Sequence, residues 1–180
     1  MNVPLFLTLV RIAVIPVLVI VLISDFPGKD WTSFAIFVLA SFTDTLDGFL
    51  ARRSKQTTVL GQLLDPTADK LLVASVLICL VGARRVPAWM AVIIIGREVA
   101  VTGFRAMASS KGINIPASRL GKVKMTVESI TIAIILLGEK ILGPVYFLAG
   151  VGLWLTLVIV ILSAVEYYAK YGPSVISGRN

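Results

Sequence analysis

Four of the ten acidic residues in this 180-residue chain fall between positions 44 and 69: Asp44, Asp47, Asp65 and Asp69. The two stretches that carry them are otherwise apolar. Read as helices, they make Asp44 and Asp47 i, i+3 neighbours and Asp65 and Asp69 i, i+4 neighbours, so each pair occupies one helix face. The short connection between the stretches predicts antiparallel packing, which brings the pairs together. Four carboxylates in an apolar interior repel one another and are costly to desolvate unless cations neutralise them. Bound divalent metal is the economical answer. All-oxygen ligation selects hard ions such as Mg²⁺, Mn²⁺ or Ca²⁺, and four carboxylates can hold two ions at the separation a phosphoryl-type displacement uses. The chain has no histidine, and its single cysteine, Cys79, lies inside an apolar run. Acid, base and metal work therefore falls to carboxylates.

The neighbours of the aspartates suit a bulky anionic ligand. Gly48, Ala51 and Gly61 leave room beside the carboxylates, and Arg52 shares a helix face with Gly48, where it could hold a phosphate. Pro66 removes one backbone hydrogen bond and frees a carbonyl in the preceding turn. Together the residues spell Asp44-x2-Asp47-Gly48-x2-Ala51-Arg52-x8-Gly61-x3-Asp65-x3-Asp69. This resembles the complete signature of the CDP-alcohol phosphatidyltransferase family. The resemblance extends to Asn2-Val3-Pro4 with Thr8 and Arg11, to Gly96-Arg97-Glu98 with Arg105, and to Gly121-Lys122-Val123-Lys124. These segments are similar to the family's bacterial phosphatidylglycerophosphate synthases, with departures at Leu5 and Met125.

The resemblance implies a fold of six transmembrane helices, usually a homodimer, with a cavity open to the cytoplasm. It implies that Asp44, Asp47 and Asp65 are the main ligands of Mg²⁺ or Mn²⁺, two ions in all, and that Asp69 completes the metal site and acts as general base. Thr8, Gly48, Ala51, Arg52 and Gly61 would line the pocket for a CDP-linked donor, CDP-diacylglycerol. Acceptor choice must come from elsewhere, and Arg97, Arg105, Arg119, Lys122 and Lys124 offer cations for a phosphate-bearing alcohol. Glycerol 3-phosphate fits that requirement better than serine, choline or plain inositol, and inositol phosphate satisfies it equally. Salt bridging of the aspartates to Lys70, Arg97 or Arg105, and a divalent-cation transporter, are the rival readings; the glycine spacing and the weak stabilisation by buried ion pairs speak against the first, the Gly/Ala/Arg spacing and the lack of internal repeats against the second.

The elements that must position these residues are helices in a membrane. Hydrophobic residues make up 57% of the chain and charged residues 15%, with a mean hydropathy of +0.94, which is too apolar for an ordinary soluble domain. Apolar segments near 5–24, 31–51, 60–82, 87–109, 120–138 and 144–168 predict about six membrane helices in one domain spanning residues 1–180, the first a retained span rather than a cleaved leader. The net charge of +7 suits anionic lipid headgroups or phosphate substrates rather than nucleic acid. Arg52, Arg53, Lys55, Lys111, Arg119, Lys122, Lys124, Lys170 and Arg179 fall on one side of that topology. Lys29, Arg84, Arg85 and Lys140 fall on the other. The excess predicts a multi-pass protein of the bacterial cytoplasmic (inner) membrane, with both termini and the site facing the cytoplasm, although Arg84 and Arg85 run against the trend. Trp31, Trp89, Tyr167 and Tyr168 read as interfacial anchors.

Overall fold

In the computed structural model every described element is a helix. The backbone is described for residues 3–54, 59–113, 115 and 119–176; the side chains of 3–5, 7, 44–54, 59–63, 65–66, 119, 174 and 176 lie outside that description. In chain order the elements are α1 (Val3–Ile23), α2 (Lys29–Ser54), α3 (Val59–Gly82), α4 (Ala88–Ser110), α5 (Arg119–Leu142), a 3-10 turn at Gly143–Tyr146, and α6 (Phe147–Ile176). A helix of 21 residues, the length of α1, is about 31 Å long at 1.5 Å per residue, close to the hydrocarbon thickness of a bilayer. Within Leu120–Pro173, which holds most of α5 and α6, a run of 18 residues reaches a mean hydropathy of 2.5, apolar enough to cross a membrane; Thr8–Ile23 is apolar but shorter.

The pattern of burial is that of a protein whose solvent is lipid. Leu39, Val92, Trp154 and Leu162 are each more than half exposed, while Arg11, Lys124, Glu128, Thr131 and Ser163 are buried. A surface so apolar would drive aggregation in water. In lipid it carries no penalty, and the polar side chains gain by turning inward.

Two compact units emerge, Met1–Pro87 with Ile132–Tyr146, and Ala88–Thr131 with Phe147–Asn180. In the first, α1 packs against both α2 and α3, around a core that includes Leu18, Phe37, Leu72, Val76 and Leu80. In the second, α4 packs against α6. There Val101, Phe104, Ala108, Ile115, Tyr167 and Val175 form one buried cluster, with Ile113 and Tyr171 against it. α5 and α6 approach closely at Gly152, where an added Cβ would lie 2.6 Å from the Thr131 hydroxyl. Small residues at such points let backbones come together in a membrane.

Three details differ from the sequence reading. α2 runs on to Ser54, so Arg52 and Arg53 stand on its last turn rather than in a connector. α6 continues through Pro173 to Ile176 instead of stopping near 168. Its last turns are held by the Phe104–Tyr167 and Tyr167–Tyr171 ring contacts, and Lys111 Nζ donates to the Val175 carbonyl at 2.7 Å. Tyr167 is accordingly a buried core residue, 4% exposed, not an interfacial anchor.

The third difference is a bend inside α5. Gly138 adopts φ 72°, ψ 169°, which interrupts the helix where the sequence pattern had ended it. Arg85 Nη1 donates to the carbonyls of Ile135 and Leu136, at 3.2 and 3.1 Å. Its Nη2 is 2.7 Å from Asp30 Oδ1. Arg85 is thus a tertiary staple that also caps the broken helix. It is no longer a free positive charge on the side of the chain where the charge rule disfavours one.

Candidate functional site

Asp44 and Asp47 lie on helical backbone near the end of α2, and Asp65 and Asp69 on helical backbone near the start of α3. The i, i+3 and i, i+4 spacings expected from sequence are therefore spacings on real helices. The side chains of Asp44, Asp47, Asp65, Gly48, Ala51, Arg52 and Gly61 lie outside the described set. Asp69 is half-buried and follows Ala68, which is fully buried.

α1 contacts both aspartate-bearing helices, and two buried polar side chains of α1 are Thr8, 2% exposed, and Arg11, 1% exposed. The chain reverses between Ile23, where α1 ends, and Lys29, where α2 begins. Measured from those two ends at 1.5 Å per residue, Arg11 lies about 18 Å along α1 and Asp44 about 22 Å along α2. Thr8 and Arg11 are thus at the level of the aspartates, on the helix that packs against both aspartate-bearing helices. A buried arginine in an apolar helix is costly unless anionic groups surround it. The sequence reading placed Thr8 at the donor pocket through the family pattern and named Arg11 only within a segment similar to the family. Its burial makes Arg11 part of this end of the unit.

Four of the five cations proposed for the acceptor separate into two kinds. Half-buried Arg97 and buried Lys124 are engaged with neighbours. Arg97 Nη1 is 2.6 Å from Glu98 Oε1, and Arg97 Nη2 donates to the Ser163 hydroxyl at 2.9 Å. Lys124 Nζ lies 2.8 Å from Glu98 Oε1 and 2.7 Å from Glu128 Oε2. Two cations and two carboxylates make this group neutral, and it ties α4 to α5 and α6. Arg105 and Lys122, by contrast, are exposed. The side chain of Arg119 lies outside the described set, at the first residue of α5.

A divalent metal fits the aspartate end by the chemistry of its donors. Asp44, Asp47, Asp65 and Asp69 supply only carboxylate oxygens, presented from two helices at one end of the unit, which suits a hard ion. Among the described side chains no group of three or more His, Cys, Asp or Glu residues gathers, and three of these four aspartates stand outside that set.

The profile of the CDP-alcohol phosphatidyltransferase family matches residues 1–163. A Bacillus subtilis protein named CDP-diacylglycerol–glycerol-3-phosphate 3-phosphatidyltransferase is 37% identical, covering 94% of this chain and 94% of its own. Proteins of that name from Rickettsia felis and Rickettsia bellii are 34% and 35% identical, and each match covers 93% of both chains. The match takes in both aspartate-bearing helices and the α1 segment that carries Thr8 and Arg11, so the chain belongs to the CDP-alcohol phosphatidyltransferase family.

Proposed function

We propose that the chain transfers the phosphatidyl group of CDP-diacylglycerol to glycerol 3-phosphate, giving phosphatidylglycerol phosphate and CMP. The observation that carries this reading is the end-to-end similarity, at 34–37% identity, to enzymes named for that reaction. The intact aspartate signature on α2 and α3 supports the same chemistry.

In the proposed reaction the free primary hydroxyl of glycerol 3-phosphate gives its proton to the Asp69 carboxylate as its oxygen attacks the lipid-side phosphorus of the pyrophosphate. The bond from that phosphorus to the bridging oxygen breaks, and CMP leaves with the electron pair. Two Mg²⁺ or Mn²⁺ ions, held by Asp44, Asp47, Asp65 and Asp69, would supply charge neutralisation at the pyrophosphate oxygens and the leaving phosphate. Gly48, Ala51 and Gly61 leave space for the cytidine diphosphate, and Arg52 and Thr8 hold its polar groups. Of the acceptor cations, exposed Arg105 and Lys122 suit an incoming phosphate better than Arg97 and Lys124, whose charges Glu98 and Glu128 already balance, and Arg119 joins them on the sequence pattern.

The proposal includes a single multi-pass domain of six membrane-spanning helices, a homodimer, and a site opening to the cytoplasmic face of a bacterial inner membrane. Cations at Arg52, Arg53, Lys111 and Lys122 support that orientation, and Arg85, the main exception, is neutralised by Asp30. Purified protein supplied with CDP-diacylglycerol, Mg²⁺ and either glycerol 3-phosphate or inositol phosphate tests the reaction. CMP release with inositol phosphate alone would overturn the acceptor assignment. Cysteines introduced at Ser109 and Arg84 in a Cys79→Ala background test the orientation: an impermeant reagent added outside the cell should label position 84 and spare position 109.

A further inference from the structure

At the end of the first unit opposite the aspartates, the α1–α2 link, the turn after α3 and the end of α5 enclose a cavity of about 800 Å³. Asp30, on its rim, precedes Asp44 on α2 by about four helical turns, or roughly 21 Å. The cavity is therefore not part of the phosphotransfer site. If α2 spans the membrane as proposed, it faces the other surface of the bilayer, and the assignment of its ligand rests on that reading.

The charges lining it fall into satisfied and unsatisfied groups. Arg85 is committed to Asp30 and to two α5 carbonyls, and Lys29 pairs with Asp25 at 3.4 Å. Arg84, Glu139 and Lys140 also line the cavity, and among the described residues none of these three side chains makes a hydrogen bond or ion pair. Arg84 is also oddly placed. α3 and α4 end in the same way, with a residue of positive φ whose amide bonds three residues back and a following amide that bonds five back: Arg84 and Arg85 to Val81 and Leu80, Gly112 and Ile113 to Ser109 and Ala108. α4 uses Gly112 at φ 75°, the usual choice, whereas α3 puts an arginine there at φ 57°. That conformation costs a non-glycine residue about 1–2 kcal/mol, and here it directs a guanidinium into the cavity. Trp31 and Tyr146 add aromatic wall.

Two uncommitted cations, one uncommitted carboxylate and an aromatic wall at a bilayer surface match a ligand that carries a phosphate and, a few ångströms away, a protonated amine. We propose that this cavity binds a zwitterionic phosphodiester headgroup of the phosphoethanolamine type, with Arg84 and Lys140 on the phosphate, Glu139 on the ammonium, and Trp31 and Tyr146 against the intervening carbons. The same chemistry is available from a membrane lipid and from soluble glycerophosphoethanolamine, and the test separates them.

Full-length protein in nanodiscs of equal phosphatidylethanolamine and phosphatidylglycerol is released gently, and the lipids retained are counted by native mass spectrometry. The wild type should enrich phosphatidylethanolamine by roughly three- to tenfold, the effect of one or two partly exposed charge contacts. The Arg84→Gln/Lys140→Gln double variant should lose that enrichment, and Glu139→Gln should shift retention toward phosphatidylglycerol, because the headgroup amine loses its partner while the phosphate keeps its own. Soluble glycerophosphoethanolamine that displaces the retained lipid identifies the headgroup as the determinant; failure to displace it, with enrichment intact, assigns the site to the lipid. Lipid retained in the bulk ratio by the wild type, or a ratio unchanged in Glu139→Gln, overturns the proposal. CMP release from the same samples should be unaffected by these variants. A sample that releases no CMP yet enriches the lipid refutes the catalytic reading alone.

Discussion

Lys124 and Glu128 stand four residues apart on α5, and Asp65 and Asp69 stand four residues apart on α3, yet the two pairs pose opposite electrostatic problems. The first is a pair of unlike charges, 2.7 Å apart and buried, and Glu98 and Arg97 extend it into a neutral group of four. Such a cluster is complete without a ligand. The second repeats one sign at the same helical spacing, and Asp44 and Asp47 add two more carboxylates from α2. Like charges at i, i+4 destabilise a helix, and burial magnifies the penalty. A sequence keeps such an arrangement where an outside cation completes it. On the proposed reading the contrast is between charge that holds the protein together and charge that a metal would complete, although both occur on helices of similar apolar character.

The sharpest way to break this distinction is at Asp69. Asp69→Asn should lower the rate of CMP release by at least about 10³-fold, since general base catalysis alone contributes 10²–10⁴ and metal ligation is weakened as well. Binding of CDP-diacylglycerol should survive in large part, because three carboxylates remain. Removing divalent ions with EDTA should abolish release from the wild type, and Mg²⁺ or Mn²⁺ should restore it. Turnover near the wild-type rate in Asp69→Asn, or activity unaffected by chelation, would sink the metal-and-base reading of these aspartates.

The next largest effect is expected at Lys124, on stability. Lys124→Met leaves Glu98 and Glu128 with an uncompensated buried charge, a loss of about 3–5 kcal/mol, visible as a lower Tm in detergent. Adding Glu128→Gln removes one of the stranded charges and should recover part of it. A lysine that serves only to hold substrate behaves otherwise: Lys124→Met would keep its Tm and raise the KM for glycerol 3-phosphate, with no rescue from Glu128→Gln.

How far these roles could be read from sequence depends on the range of the interactions. The helices were legible because each is an apolar run punctuated by Gly, Pro or charge, and the aspartate signature was legible because its spacing is local to two helices. The fate of Lys124 was only half legible. Its i, i+4 partner Glu128 is visible in the spacing, but Glu98 belongs to the preceding helix, α4, and meets Lys124 only through packing. The same is true of Arg85, which reads as a loop charge until its partners are found on α5, and of Tyr167, whose burial depends on Phe104. Gly138 marked the end of an apolar run, but not that the helix resumes after it, because the carbonyls of Ile135 and Leu136 find their donor in Arg85, some fifty residues away in the chain.

Arg105 sharpens the comparison from the other side, since it is exposed where Lys124 is buried. If exposed cations meet the acceptor, Arg105→Gln should raise the KM for glycerol 3-phosphate by about tenfold, the weight of one charge-assisted contact, with Tm and donor KM nearly unchanged. Unaltered acceptor kinetics in Arg105→Gln would move the grip elsewhere, to Lys122 or Arg119.

The smaller of the two effects on stability changes no charge at all. Asp30 and Arg85 form another neutral pair of the self-sufficient kind, and Gly138 is the place where its geometry is most confined. An added Cβ there would lie 3.1 Å from Asp30 Oδ2 and 3.2 Å from Arg85 Nη1, closer than most real contacts of that kind. The backbone at φ 72°, ψ 169° lies in a region essentially reserved for glycine and costs an L side chain about 1–3 kcal/mol. Gly138→Ala can relax by letting Arg85 retreat from Ile135 and Leu136, with loss of their hydrogen bonds, or by keeping the clasp and bearing the strain. Either way Tm should fall by an amount corresponding to about 1–3 kcal/mol. CMP release at low temperature should stay close to wild type, because the bend lies far along the helices from Asp69. Combining Gly138→Ala with Arg85→Gln separates the two routes. If the clasp and the glycine act as one device, the double variant should be less destabilised than the sum of the single variants. Strict additivity would show that the bend is held by the backbone alone, and that Arg85 only neutralises Asp30.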